Sequence, residues 1–163
     1  ETGTTTTSAM NLMVFINSNG AVGTITTSGS STAFNTSSDY RLKENVSYDF
    51  DATTRLKQLK PARFNFIADA DTTVDGFLAH EVQSVVPQAI TGTHNEVEVW
   101  EEDEELPNGV SVGDNKLDDD GNTIPIYQSI DQSKLVPLLV KSLQEALTEI
   151  DTLKTKVAAL ESK

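Results

Sequence analysis

The sequence predicts an α+β fold in three consecutive parts: a short β-stalk segment, a small mixed α/β domain, and a long C-terminal helix in a parallel coiled coil. Three observations carry this reading. Residues 2–38 hold no charged side chain and are dominated by Thr, Ser and Gly around short β-branched stretches. The composition changes abruptly at Asp39, and charged residues are frequent from there on. From Val136 onward, apolar residues recur alternately three and four apart. The expected boundaries are therefore 1–37 for the end of a stalk or linker, 38–132 for the mixed domain and 133–163 for the helix.

In the first part, residues 12–16 and 21–25 have strand character. Such sequence builds no core alone. It is either a flexible linker or the end of a fibrous stalk whose strands pair only between chains. In the second part, residues 51–60 read as a short helix, with Leu56 and Leu59 three apart and Pro61 as the stop. Residues 63–67 alternate as a strand. Asp75-Gly76 reads as a turn, followed by a buried strand at 77–79 and a helix at 80–86 that Pro87 ends. Residues 96–100 alternate again, and the Asp-rich run 118–122 before Ile124 and Ile126 suggests a hairpin turn.

The acidic stretch 101–120 looks like an insertion. Its five successive acids at 101–105 read as a solvated loop, because like charges repel and stay wet. A calcium site is the other reading, but the run at Asp118 lacks the alternating ligands and distal Glu of an EF-hand. No metal and no cofactor is expected.

In the helix, Val136, Leu139, Leu143, Ala146, Ile150, Leu153, Val157 and Leu160 make one apolar stripe with heptad spacing. With Val136 at position a, Glu149 and Lys156 fall at g, and Lys154 and Glu161 at the following e positions. In parallel chains these become opposite-charge pairs, which favours self-association over a helix packed only on its own domain. The pattern leaves dimer and trimer open.

Composition excludes several function classes. The chain has 163 residues, a formal charge of -13 and a pI near 4.4. That balance opposes nucleic acid and anionic lipid, which are bound through clustered Lys and Arg. No apolar run reaches the 18 or so residues of a membrane span, and the opening residues do not read as a secretory leader. There is no cysteine, hence no disulfide and no thiolate chemistry.

One pair of residues suggests chemistry. A serine hydroxyl and a lysine amine make a peptidase when the lysine loses its proton often enough to act as base. That requires burial or a neighbouring cation, and Arg41 beside Lys43 is a candidate for the cation. Ser38 and Lys43 are five residues apart, about 140° around a regular helix, so they would not share a helix face. They meet if Ser38 lies outside the first turn and Lys43 folds back, or if one comes from a neighbouring chain. The plainer reading makes Ser38 or Asp39 a helix N-cap.

The run Ser38-Asp39-Tyr40-Arg41-Leu42-Lys43-Glu44-Asn45-Val46 closely resembles the opening motif of the intramolecular chaperone domain of phage tailspikes and tail fibres. That domain was first recognised in endosialidases and is shared with myelin regulatory factor. Leu59-Lys60-Pro61-Ala62-Arg63-Phe64, Gly76-Phe77-Leu78-Ala79-His80-Glu81-Val82, Ile126-Tyr127-Gln128-Ser129-Ile130-Asp131 and Ser133-Lys134-Leu135-Val136-Pro137-Leu138-Leu139 resemble its later blocks, in order. The resemblance implies a self-cleaving serine endopeptidase acting once on its own chain, with Ser38 as nucleophile, Lys43 as its base and the cut between Ser37 and Ser38. Arg41, His80 and Glu81 are expected beside the pair in a supporting role; the family often has Gln where His80 stands. The resemblance further implies a homotrimer joined through the stripe from Val136 to Leu160, with cleavage following assembly. The expected partners are other copies of the chain and the upstream fibre polypeptide. The expected location is the phage virion tail, after precursor assembly in the host cytoplasm and release of the chaperone. A non-cleaving trimerisation cap and a receptor-binding fibre tip are the alternatives.

Overall fold

The computed structural model describes residues 7–162, so the part of the stalk expectation that falls on residues 1–6 lies outside it. The chain divides into two units, Glu1–Asp49 and Phe50–Lys163. This division falls eleven residues beyond the change of composition at residue 38.

The first unit is an antiparallel meander of β1 (Met10–Asn17), β2 (Gly20–Ser28) and β3 (Ser31–Thr36), in the order β1-β2-β3. The strands pair within the chain, not only between chains. The reason is the two connections, which are two residues long: Asn17 faces Gly20 and Ser28 faces Ser31. Gly29 opens the second connection at φ 58°, as a type II′ hairpin requires. The Asn35 amide then donates to the Thr24 and Thr26 hydroxyls across the strands, at 3.2 and 3.1 Å. No described residue of this unit is buried, and Met13, Phe15, Ile16 and Phe34 are exposed. Three strands with open faces lack the burial that stabilises a free-standing sheet.

The second unit mixes short helices with two small sheets. Helix α1 (Ala52–Leu56) is capped by the Asp51 carboxylate, which accepts from the Thr54 amide at 3.1 Å. It is shorter than expected because tighter backbone bonds, Gln58 to Arg55 and Leu59 to Leu56, replace helical ones before Pro61. Strands β4 (Ala62–Phe66) and β5 (Asp69–Gly76) form a hairpin.

Asp75-Gly76 is therefore the end of a strand rather than a turn; the connection is Ile67-Ala68. Both residues serve cross-strand contacts. Asp75 accepts a two-pronged bond from Arg63 at 2.7 and 3.0 Å, which holds its carboxyl below the usual range. A Cβ on Gly76 would stand 3.2 Å from Phe64 Cε1. Residues 77–78 are not a strand, and helix α2 is Ala79–Gln83.

Strands β6 (Ile90–Thr91) and β7 (Ser129–Ile130) pair and close off the excursion between them. Inside it, isolated pairings join Val97 to Pro125, Val99 to Asn115 and Leu117 to Thr123. The hairpin turn sits where the sequence puts it: the Asp118 carboxylate accepts from the amides of Asp120 and Asn122 at 3.0 and 2.8 Å. The acidic run 101–105 is exposed, as expected of a solvated loop, except at Glu104, which bonds Lys116, whose ammonium lies 5.0 Å from the centre of the Trp100 ring.

The long helix α3 (Val136–Glu161) follows a 3-10 turn, Gln132–Leu135, capped by Asp131. The core gathers Ala52, Val82, Val85, Val86, Ala89, Leu135 and Leu138. It thus joins α1, α2 and the start of α3, elements far apart in sequence. No described helix is long and apolar enough to cross a membrane.

Candidate functional site

Ser37 continues the sheet past the end of β3. Its amide donates to the Val22 carbonyl at 3.1 Å and its hydroxyl to the Ala21 carbonyl at 3.0 Å. Asp39 is extended and caps a 3-10 turn, Tyr40–Leu42, by accepting from the Arg41 amide at 2.9 Å. Asp39 being the cap, the Ser38 hydroxyl is left for another partner. Lys43 closes the turn through its amide on the Tyr40 carbonyl, at 3.1 Å, and then runs extended. This brings its Nζ back to donate to Ser38 Oγ at 2.8 Å.

The pair therefore meets within one chain, with the serine outside the turn. The same separation suits proton transfer in the opposite sense, from hydroxyl to a neutral amine. Both residues are exposed in the single chain, as are the large apolar side chains of Tyr40, Leu42, Val46 and Tyr48.

Arg41 does not present an unpaired positive charge to Lys43. Its guanidinium grips the Asp39 carboxylate with two bonds of 2.9 Å. These bonds hold the Asp39 carboxyl below its usual range, with a smaller contribution from the Lys43 charge, and push Arg41 upward. His80 and Glu81 belong to the second unit and have partners there: the His80 ring stacks on His94 at 4.3 Å, and Glu81 accepts from Lys60 at 2.9 Å. Among the described residues, no three His, Asp or Glu side chains gather as a metal ion would need.

The heptad stripe of α3 lies open. Val136, Leu139, Leu143, Ile150, Leu153, Val157 and Leu160 are exposed large hydrophobics, and Ala146 is exposed too. The helix packs on its own unit through a different face. Leu138 and Ser142 are buried, and Glu145 accepts from the Thr53 hydroxyl of α1. Residues 138, 142 and 145 share one helical face at i, i+4 and i+7. The contact with the domain thus uses a face other than the heptad stripe. The missed signal was Leu135 and Leu138, apolar residues just off the heptad positions. Ser37's anchoring on β2 had no sequence signal at all.

Residues 38–91 match the family model described as chaperone of endosialidase. The match begins at the serine of the pair and runs through β6. The resembling blocks at 126–139 lie outside it. Among curated proteins, none matches the chain.

Proposed function

We propose, from the premise that residues 38–91 are a chaperone-of-endosialidase domain, that this chain is the C-terminal intramolecular chaperone of a phage tail fibre or tailspike. It drives homotrimer assembly through α3 and then releases itself by cutting between Ser37 and Ser38. The observation that carries the reading is the 2.8 Å contact between Lys43 Nζ and Ser38 Oγ at the first residues of the matched segment.

The chemistry balances without a cofactor. Ser38 Oγ attacks the Ser37 carbonyl carbon as Lys43 takes the hydroxyl proton. The C–N bond breaks, the Ser38 nitrogen receives that proton, and the acyl group rests on Oγ as an ester. Water then cleaves the ester, leaving a carboxylate at Ser37 and a free amine and hydroxyl at Ser38. The two hydrogen bonds of Ser37 to β2 hold the acyl side still during the step.

A lysine becomes a base only where its ammonium is disfavoured, by low polarity or by a neighbouring cation. In one chain the pair is open to water and Arg41 is bound to Asp39. Shielding by neighbouring chains supplies the missing condition, with exposed Tyr40, Leu42 and Tyr48 as surface for that contact. Cleavage then waits for assembly. This order suits an open-faced sheet, because a parallel clamp raises the local concentration of strands before the clamp is removed. The precursor would assemble in the host cytoplasm and the sheet would remain with the virion tail.

The test is the mass of the purified chain after denaturation. A fragment beginning at Ser38 is expected, and Ser38→Ala should leave the chain whole with its assembly intact. An unbroken wild-type chain in a folded assembly, after prolonged incubation, would leave a non-cleaving cap.

A further inference from the structure

Continuing the heptad assignment backward as well as forward places Leu135, Ser142, Glu149 and Lys156 at g, and Val140, Leu147, Lys154 and Glu161 at e. Between parallel helices, each g residue lies beside the e residue five positions on in the neighbouring chain. The four resulting pairs fall into two classes. Glu149 with Lys154 and Lys156 with Glu161 are opposite charges on exposed positions. Leu135 and Ser142 are instead covered by their own unit, at 4% and 5% exposure, while the residues that would face them, Val140 and Leu147, are apolar and 49% and 53% exposed. Where the g position is walled off, the facing e position is hydrophobic; where it is open, the facing e position is charged.

The wall itself is hollowed at both levels. Beside Leu135 a groove of about 610 Å³ opens between Leu56, Leu59 and Phe77 on one side and Val136 and Leu139 on the other. Beside Ser142 a second groove, of about 870 Å³, opens between Thr53 and Leu56 of α1 and Leu139, Leu143 and Ala146 of α3. Each runs directly into the exposed heptad stripe.

We propose that the two grooves are sockets for a second copy of this chain. Val140 of the neighbouring chain seats in the first and Leu147 of the neighbouring chain in the second, so that the folded unit of each chain is clamped onto the helix of the next. The proposal rests on the parallel self-association put forward above and extends it: the upper two heptads are held by helix against domain, and the lower two by helix against helix. Burying an apolar side chain in an apolar socket removes area from water, whereas a charge at Val140 or Leu147 would be buried without a partner.

The sequence has no cysteine, so introduced thiols report directly. The double variant Leu56→Cys, Leu147→Cys, mildly oxidised, should give covalent multimers on a non-reducing gel, at multiples of the chain mass, while each single variant should not. Light scattering of the reduced protein separates the outcomes. Normal assembly without interchain cross-links, or thiols lost within single chains, overturns the sockets and leaves self-association standing. A wild-type monomer overturns both. As a second measurement, Leu147→Glu should raise the concentration for half-assembly at least tenfold with helix content unchanged, and Thr148→Glu, on the outer face, should not. Equal assembly of the two variants overturns the proposal.

Discussion

Lys43 folds back across five residues so that its ammonium donates to the Ser38 hydroxyl at 2.8 Å. A continuous α-helix would have kept the two apart. The contact exists because a three-residue 3-10 turn separates two extended residues, Asp39 and Lys43. Lys43→Arg keeps the positive charge but cannot deprotonate in a protein. Neither Lys43→Arg nor Lys43→Ala should yield the fragment beginning at Ser38, as read by mass after denaturation. Normal cleavage in Lys43→Arg would remove lysine from the mechanism.

Asp39 sets the turn by capping it and binding Arg41. Its folded carboxyl lies below the ordinary 3.8 because of the Arg41 side-chain and backbone bonds, with Lys43 adding to the effect. A depressed carboxyl contributes stability that is complete above the unfolded value and lost as pH falls through the folded one. The turn should therefore persist to below pH 3.8, the unperturbed value. Asp39→Asn should slow cleavage throughout pH 5 to 8 by loosening the turn, and unchanged rates would show that the cap is not needed to hold Ser38 and Lys43 together.

Ile150 and Leu153 lie beyond the part of α3 that touches the folded unit, and they are about half exposed. Replacing both with Asp should disperse the assembly, because association would bury unpaired charge. Urea unfolding of the second unit should change little once the dispersed states are compared. Sedimentation over a range of concentrations reads the first effect. An undiminished assembly would move the interface away from the heptad stripe.

Val82 is 1% exposed at the centre of the core. Val82→Ala removes two methyl groups and should cost about 1.5–3 kcal/mol in chemical denaturation. Ser142→Ala works in the other direction. The Ser142 hydroxyl is buried with no hydrogen-bond partner among the described residues, so its removal should be neutral or stabilising, by about 1 kcal/mol.

The elements of the second unit were legible where local pattern decides them. Asp51 and Pro61 bracket α1, the Asp118 run makes its turn, and the heptads make α3. Asp75-Gly76 misled because the same two residues that favour a turn also suit a strand end with a basic partner and an aromatic ring opposite. Arg63 and Phe64 are those partners, and only the pairing reveals them. At the candidate site, spacing on a helix kept Ser38 and Lys43 apart, and residue types alone do not show that Asp39 would take the cap. The neutralisation of Arg41 by Asp39 was equally hidden, since two residues of separation permits that grip without requiring it.

From Ala146 to Glu161 every residue of α3 is exposed in the single chain. At 1.5 Å per residue, the span from there to Glu161 is roughly 24 Å of bare helix. In a chain that assembles through this helix, such a rod stands clear of the folded core. It is also the piece with the longest reach for capture. Encounter would begin at its tip and zip toward residue 136, with its charged lower heptads checking alignment before the apolar upper ones commit.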